Sequence, residues 1–146
     1  MILVTGGTGL VGIHLLMDLL RDETPIRAIY RSKESLEKVR RVFSLYDVDW
    51  EKSKRQINWV KSELLNPEIL IDVFEGIEYV YHCAAMVSFK KRDKLKLFKV
   101  NIEGTANMIN LSLAFGIKKF CHVSSTATIG KSNINEPKNE DCLWDN

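Results

Sequence analysis

Ile2-Leu3-Val4-Thr5-Gly6-Gly7-Thr8-Gly9-Leu10-Val11-Gly12 opens the chain with a short apolar run, a glycine-rich turn and the start of a helix. The run Ile2 to Val4 reads as a buried strand. From Leu10 to Arg21, apolar residues recur at helical spacing, at Leu15, Leu16, Leu19 and Leu20. Between the two, Gly6, Gly9 and Gly12 stand three apart. A glycine at the strand exit permits the tight turn, and the next lets the backbone approach a pyrophosphate. The third lets helix and strand pack closely. The free N–H groups and positive dipole end of the helix then face that anion. Gly6, Thr8, Gly9, Leu10, Val11 and Gly12 are therefore candidate dinucleotide contacts, the bland alternative being a glycine turn without a ligand. The Gly-Lys-Ser/Thr of a nucleoside-triphosphate loop is absent at the required spacing.

Outward from this turn the chain alternates. Strands are expected over 25–31, 57–61, 78–83 and 118–124. Helices are expected over 33 to about 46 with Ser32 as N-cap, over 67–74 with Pro67 in the first turn, and over 93–115 closed by Gly116. Residues 47–55 read as a loop or an extra helical turn, and 131–146 as a polar loop. Continuous apolar strands separated by helices predict a doubly wound α/β domain, with a parallel sheet covered on both faces.

The 146 residues, 45 % apolar and 27 % charged, suit one globular domain. A net charge of +2 argues against nucleic acid or an anionic membrane as partner. Cys83, Cys121 and Cys142 make neither a disulfide framework nor a zinc site, and no metal is expected. Cys83 and Cys121, like His82 and His122, lie in apolar runs and are expected to be buried core residues. No signal segment or membrane span is legible, which predicts a cytoplasmic protein. The run Lys90-Lys91-Arg92-Asp93-Lys94 reads as a solvated face.

The tip of the second strand distinguishes between dinucleotides. An Asp or Glu there bonds the ribose 2′-hydroxyl of NAD. Here the strand ends Tyr30-Arg31-Ser32-Lys33 with no acid, and Arg31 lies 19 residues beyond Gly12. Its guanidinium suits a 2′-phosphate, with Ser32 and Lys33 as further donors, so NADP is favoured over NAD. The alternative is an exposed strand-end cation.

Five segments together resemble the extended branch of the short-chain dehydrogenase/reductases, the NAD(P)-dependent epimerases, dehydratases and reductases. Thr5 to Gly12 matches its TGxxGxxG. Glu63-Leu64 stands where the family has Asp-Leu against the adenine. Tyr81-His82-Cys83-Ala84-Ala85 is similar to the fourth strand end, where Ala84 and Ala85 would lie along the nicotinamide-side ribose. Asn101 to Asn107 matches NxxGTxN, and Val123 to Ala127 the end of strand five. The resemblance implies a Rossmann fold and a small-molecule substrate with a carbonyl or hydroxyl group. It also implies hydride transfer at the nicotinamide, with Ser125 as the catalytic hydroxyl beside the reacting oxygen. Asn101 is a candidate cofactor-site residue, or else a tie between its helix and strand four. Met86 to Phe89 would line the substrate entrance, and the long helix 93–115 would pair two copies into a homodimer.

The family's acid/base pair is Tyr-x-x-x-Lys, in which the Lys lowers the phenol pKa. Tyr30, Tyr46, Tyr79 and Tyr81 are followed four residues later by Glu34, Trp50, Cys83 and Ala85. None qualifies, and all precede strand five. The expectation is the N-terminal cofactor-binding portion of a longer enzyme, inactive alone. A non-catalytic NAD(P)-binding sensor or scaffold is the alternative.

Overall fold

Side chains on β1 (Ile2–Thr5) alternate between two cores: Ile2 and Val4 face one, Leu3 the other. A strand buried on both faces must be central, and β1 is the third of five in the computed structural model, which describes residues 1–130 and 137–142. The other strands are β2 (Ile26–Tyr30), β3 (Ile57–Lys61), β4 (Tyr79–His82) and β5 (Lys119–His122). All pairings are parallel, in the order β3-β2-β1-β4-β5. The order reverses at β1, where the chain crosses from β3 to β4 on the opposite side, which makes the crevice beside β1 a ligand position.

Helices α1 (Leu10–Leu19), α2 (Lys33–Leu45) and α3 (Trp50–Gln56) share the first face. Ile13 and Leu16 of α1 and Val39 and Phe43 of α2 meet Ile2, Val4, Ile26 and Ile57 there. Trp50 of α3 packs edge-on against Phe43. The second face carries α4 (Pro67–Phe74), whose Leu70, Val73 and Phe74 meet Leu3, Ile29 and Val80. Each fully buried Leu, Ile, Val or Phe is worth about 1.5–3 kcal/mol, so the two layers hold the sheet without a disulfide. Asn66 caps α4 by accepting from the Ile69 N–H at 3.3 Å.

Of the two alternatives for 47–55 the helical one holds, as α3, because Asp49 caps it by accepting from the Lys52 N–H at 3.1 Å. Three expectations change. The single helix over 93–115 is a composite rod. A 3₁₀ turn over Lys91–Asp93 leads into α5 (Lys94–Phe98), a π-helical segment over Lys99–Glu103, and α6 (Gly104–Ala114). Gly116, at φ 64°, closes it as expected. Ser32 occupies the N-cap of α2 without capping through its side chain; Ser35 Oγ instead donates to the Ser32 carbonyl at 2.6 Å. Cys121 and His122 are exposed, because β5 is an edge strand and only its Phe120 reaches the core on the α4 side. Of the segment expected as a polar loop, 137–142 contains a turn and the remainder lies outside the described residues. Among the described residues no helix is long and apolar enough to cross a membrane.

Candidate functional site

The carboxyl ends of four strands converge on a cleft of about 380 Å³. Gly6, Thr8 and Gly9 reach it from β1, and Tyr30 and Arg31 from β2. The ends of β3 and β4 contribute Ser62 to Leu65 and Cys83 to Ala85.

The glycine turn is shaped by close contact. Gly6 has φ 66°, and a Cβ there would lie 2.6 Å from the Ala84 nitrogen. A Cβ on Gly12 would lie 2.2 Å from the Gly6 carbonyl oxygen. Gly9 donates to the same carbonyl at 2.8 Å and, in extended conformation, starts α1. Among the described residues no side chain caps that helix, and no acid stands in its first turn, which leaves its leading N–H groups for an anion. Leu10 and Val11 are exposed and can contribute only through these amides. Gly12 is buried and serves the turn itself.

Beneath the turn, Thr5 Oγ1 lies 2.7 Å from His82 Nδ1 and accepts from the Ala84 N–H at 3.3 Å. His82 Nε2 is 3.0 Å from Thr105 Oγ1. The relay joins β1, β4 and α6 and satisfies a fully buried imidazole, so His82 is a core histidine, as expected. Burial, assisted by the stacked His122 ring, pushes its pKa down to about 4. Burial also raises the Cys83 thiol above its ordinary value, reinforced by Cys121.

The NxxGTxN segment is the clamp of the site. Asn101 accepts from the Met86 N–H at 2.8 Å and donates to the Met86 carbonyl at 3.0 Å. Both its polar ends are thus engaged by the loop after β4, and it does not line the cleft. Of the two readings of Asn101, these bonds show the tie between its helix and the chain after strand four. It sits in the π-helical segment, a distortion frequent at functional positions. A Cβ on Gly104 would lie 2.9 Å from Leu64 Cβ, and Asn107 donates to the Leu64 carbonyl at 2.9 Å. These two residues hold Glu63-Leu64 at the cleft. The NxxGTxN match marks both residues, but not their partner, which lies about 40 residues earlier.

Arg31 lines the cleft, but its companions differ from those expected. Ser35 and Lys38 of α2 line the wall in place of Ser32 and Lys33, because one to two helical turns bring them round to the strand tip. Ser62 is buried and its hydroxyl has no partner among the described residues, although it lies on the cleft wall. Ser125 lies past the end of β5 outside this cleft, exposed, its Oγ accepting from the Ala127 N–H at 3.2 Å. β5 neighbours β4, so Ser125 follows the strand next to the one carrying Ala84 and Ala85. Among the described residues no group of three His, Cys, Asp or Glu could hold a metal ion.

The chain is 31 % identical over 134 residues to a UDP-glucose 4-epimerase of Dictyostelium discoideum, covering 88 % of this chain and 37 % of that protein. It is 27 % identical over 143 residues to a dihydroflavonol 4-reductase of Callistephus chinensis, covering 97 % and 38 %. A short-chain dehydrogenase/reductase superfamily protein of Agrobacterium tumefaciens, solved with bound NAD, superposes with a TM-score of 0.66 at 26 % identity, covering 85 % and 32 %. The chain thus spans about a third of the length of these proteins. The sequence profile of the NAD dependent epimerase/dehydratase family matches residues 2–145, and the chain belongs to that family.

Proposed function

We propose that these residues form the cofactor-binding portion of an NAD(P)-dependent oxidoreductase, epimerase or dehydratase. The enzyme would move a hydride between nicotinamide and a carbinol or carbonyl carbon of a small-molecule substrate. The observation that carries this reading is the cleft at the ends of β1 to β4. It combines the first turn of α1 with a buried Ser62 hydroxyl, the one uncapped and the other unpartnered among the described residues.

The residues fit a dinucleotide. The amides of Thr8, Leu10 and Val11 would hold the pyrophosphate, with Gly6, Gly9 and Gly12 shaping the turn that presents them, while Glu63 and Leu64 would hold the adenine and Ala84 and Ala85 the nicotinamide-side ribose. When bound, the nicotinamide supplies or accepts the hydride at its C4. Ser125 would donate to the substrate oxygen and stabilise charge developing there. Proton transfer needs a Tyr-x-x-x-Lys pair, which this sequence lacks. This chain alone is therefore expected to bind the dinucleotide without turnover.

Arg31 and Lys38, seven residues apart on one wall, support NADP over NAD. Exposed Leu95, Phe98, Ile102, Ile109 and Leu113 along the composite rod support pairing with a second copy of the chain. Three free cysteines suit a cytoplasmic setting.

Calorimetric titration with NADP⁺ and NAD⁺ tests the reading. The wild type is expected to prefer NADP⁺. Arg31→Asp is expected to lose about 1.5–3 kcal/mol of that preference, the worth of a charge-assisted contact. Binding of neither dinucleotide by the wild type overturns the reading. Binding of both by a longer form that has no Tyr-x-x-x-Lys pair favours the sensor instead.

A further inference from the structure

Residues 87–101 hold six Lys and Arg against one Asp in a chain whose net charge is only +2. The structure separates one of these cations from the rest. Lys96 of α5 lines the dinucleotide cleft, and Val100, one turn on, lines it too. The same face continues at the four-residue spacing to Gly104, which packs against Leu64. At 1.5 Å per residue Lys96 stands roughly 12 Å along the rod from that contact. Arg31 and Lys38 line the same cleft from β2 and α2. None of the three cations has an ion pair among the described residues, and Glu63 is the one acid on the lining. Like charges drawn to one cleft raise its potential and select a ligand more anionic than a bare pyrophosphate.

We propose that Lys96 is a second clamp for the 2′-phosphate of an NADP-type dinucleotide, acting from the α5 side of the cleft while Arg31 and Lys38 act from the α2 side. The proposal rests on the dinucleotide reading above and adds to it a specificity residue outside the strand-two tip. A lysine suits the position. Its ammonium is a mobile point charge on a flexible stem and needs no planar partner, unlike the guanidinium at Arg31.

The test is calorimetry on the full chain with 2′,5′-ADP and 5′-AMP, two probes that differ only in the 2′-phosphate. Lys96→Ala is expected to weaken 2′,5′-ADP about tenfold and to leave 5′-AMP within about twofold, with Lys96→Arg restoring most of the loss. Lys99→Ala, on the same rod but off the cleft lining, is expected to change neither. Equal losses for both probes, or no loss for either, overturn the clamp. If the wild type binds NADP⁺ and Lys96→Ala is silent, the clamp alone fails. If the wild type binds neither 2′,5′-ADP nor either dinucleotide, the dinucleotide reading fails and takes the clamp with it.

Discussion

Asn101 holds the two peptide groups that flank Met86, accepting from the Met86 N–H at 2.8 Å and donating to the Met86 carbonyl at 3.0 Å. A side chain on a helix thereby replaces the strand partner that the chain loses when β4 ends at His82. Asn101→Ala removes both bonds and leaves two half-buried backbone groups to find water. The expected cost is about 1–3 kcal/mol, read as a lower urea midpoint at unchanged m-value. Because Asn101 does not line the cleft, dinucleotide affinity is expected to fall less than after Arg31→Asp. Unchanged stability would show that the loop does not depend on this tie.

Two glycines separate steric need from backbone need. A Cβ on Gly12 meets only backbone, at 2.2 Å from the Gly6 oxygen and 2.8 Å from Gly7 Cα, and none of it can rotate aside. Gly12→Ala is expected to cost about 3 kcal/mol or to prevent folding. Gly76 has φ 72° but open space around it, so Gly76→Ala carries only left-handed backbone strain, about 1–2 kcal/mol. Denaturation midpoints in the order wild type, Gly76→Ala, Gly12→Ala are the expected result; the reverse order would refute the steric account.

The sheet and glycine turn were legible because their signals are local. The Gly6, Gly9 and Gly12 spacing and the strand-helix alternation each lie within one element and its neighbour. Long-range features were hidden. That Gly104 and Asn107 hold Leu64 depends on a pairing across about 40 residues, and no periodicity encodes it. Cys121 and His122 look as apolar in context as Val80 does, yet β5 is an edge and β4 is interior. Lys38 and not Lys33 lines the cleft because nearness in sequence to Arg31 differs from nearness on a helix face. Lys96 lies just beyond the run Lys90 to Lys94, which reads as a solvated face, and only the packing of the rod shows that it lines the cleft.

Ser62 provides a case where stability and binding should move in opposite directions. Its hydroxyl is buried on the cleft wall without a partner among the described residues. Removing a desolvated, unpaired hydroxyl relieves part of its burial cost, so Ser62→Ala is expected to leave stability unchanged or to raise it by up to about 1 kcal/mol. If a dinucleotide satisfies that hydroxyl, its affinity should fall by about 0.5–1.5 kcal/mol in the same variant. A loss of stability with intact affinity would assign the hydroxyl to the core instead.

Acidification should unfold the protein through His82 in a defined window. The imidazole is fully buried between Thr5 and Thr105, and desolvation first, then the neighbouring His122, lowers its pKa from 6.5 to about 4. Between those values the unfolded chain binds a proton that the folded chain refuses. The contribution is therefore whole above pH 6.5, falls as the pH drops through the window, and changes no further below about 4. At 1.36 kcal/mol per pKa unit the loss amounts to about 2–4 kcal/mol. Half-buried Glu78, whose carboxyl is held below its usual range by the bond from Lys118, also weakens the fold in acid. A comparison with His82→Gln isolates the histidine. The variant is expected to start less stable at pH 7, since Gln cannot reach both threonines as the ring does. It should then lose less on going from pH 6.5 to 4.5 than the wild type, as read from urea unfolding at each pH. Parallel stability curves for the two proteins would mean that His82 does not carry the acid sensitivity.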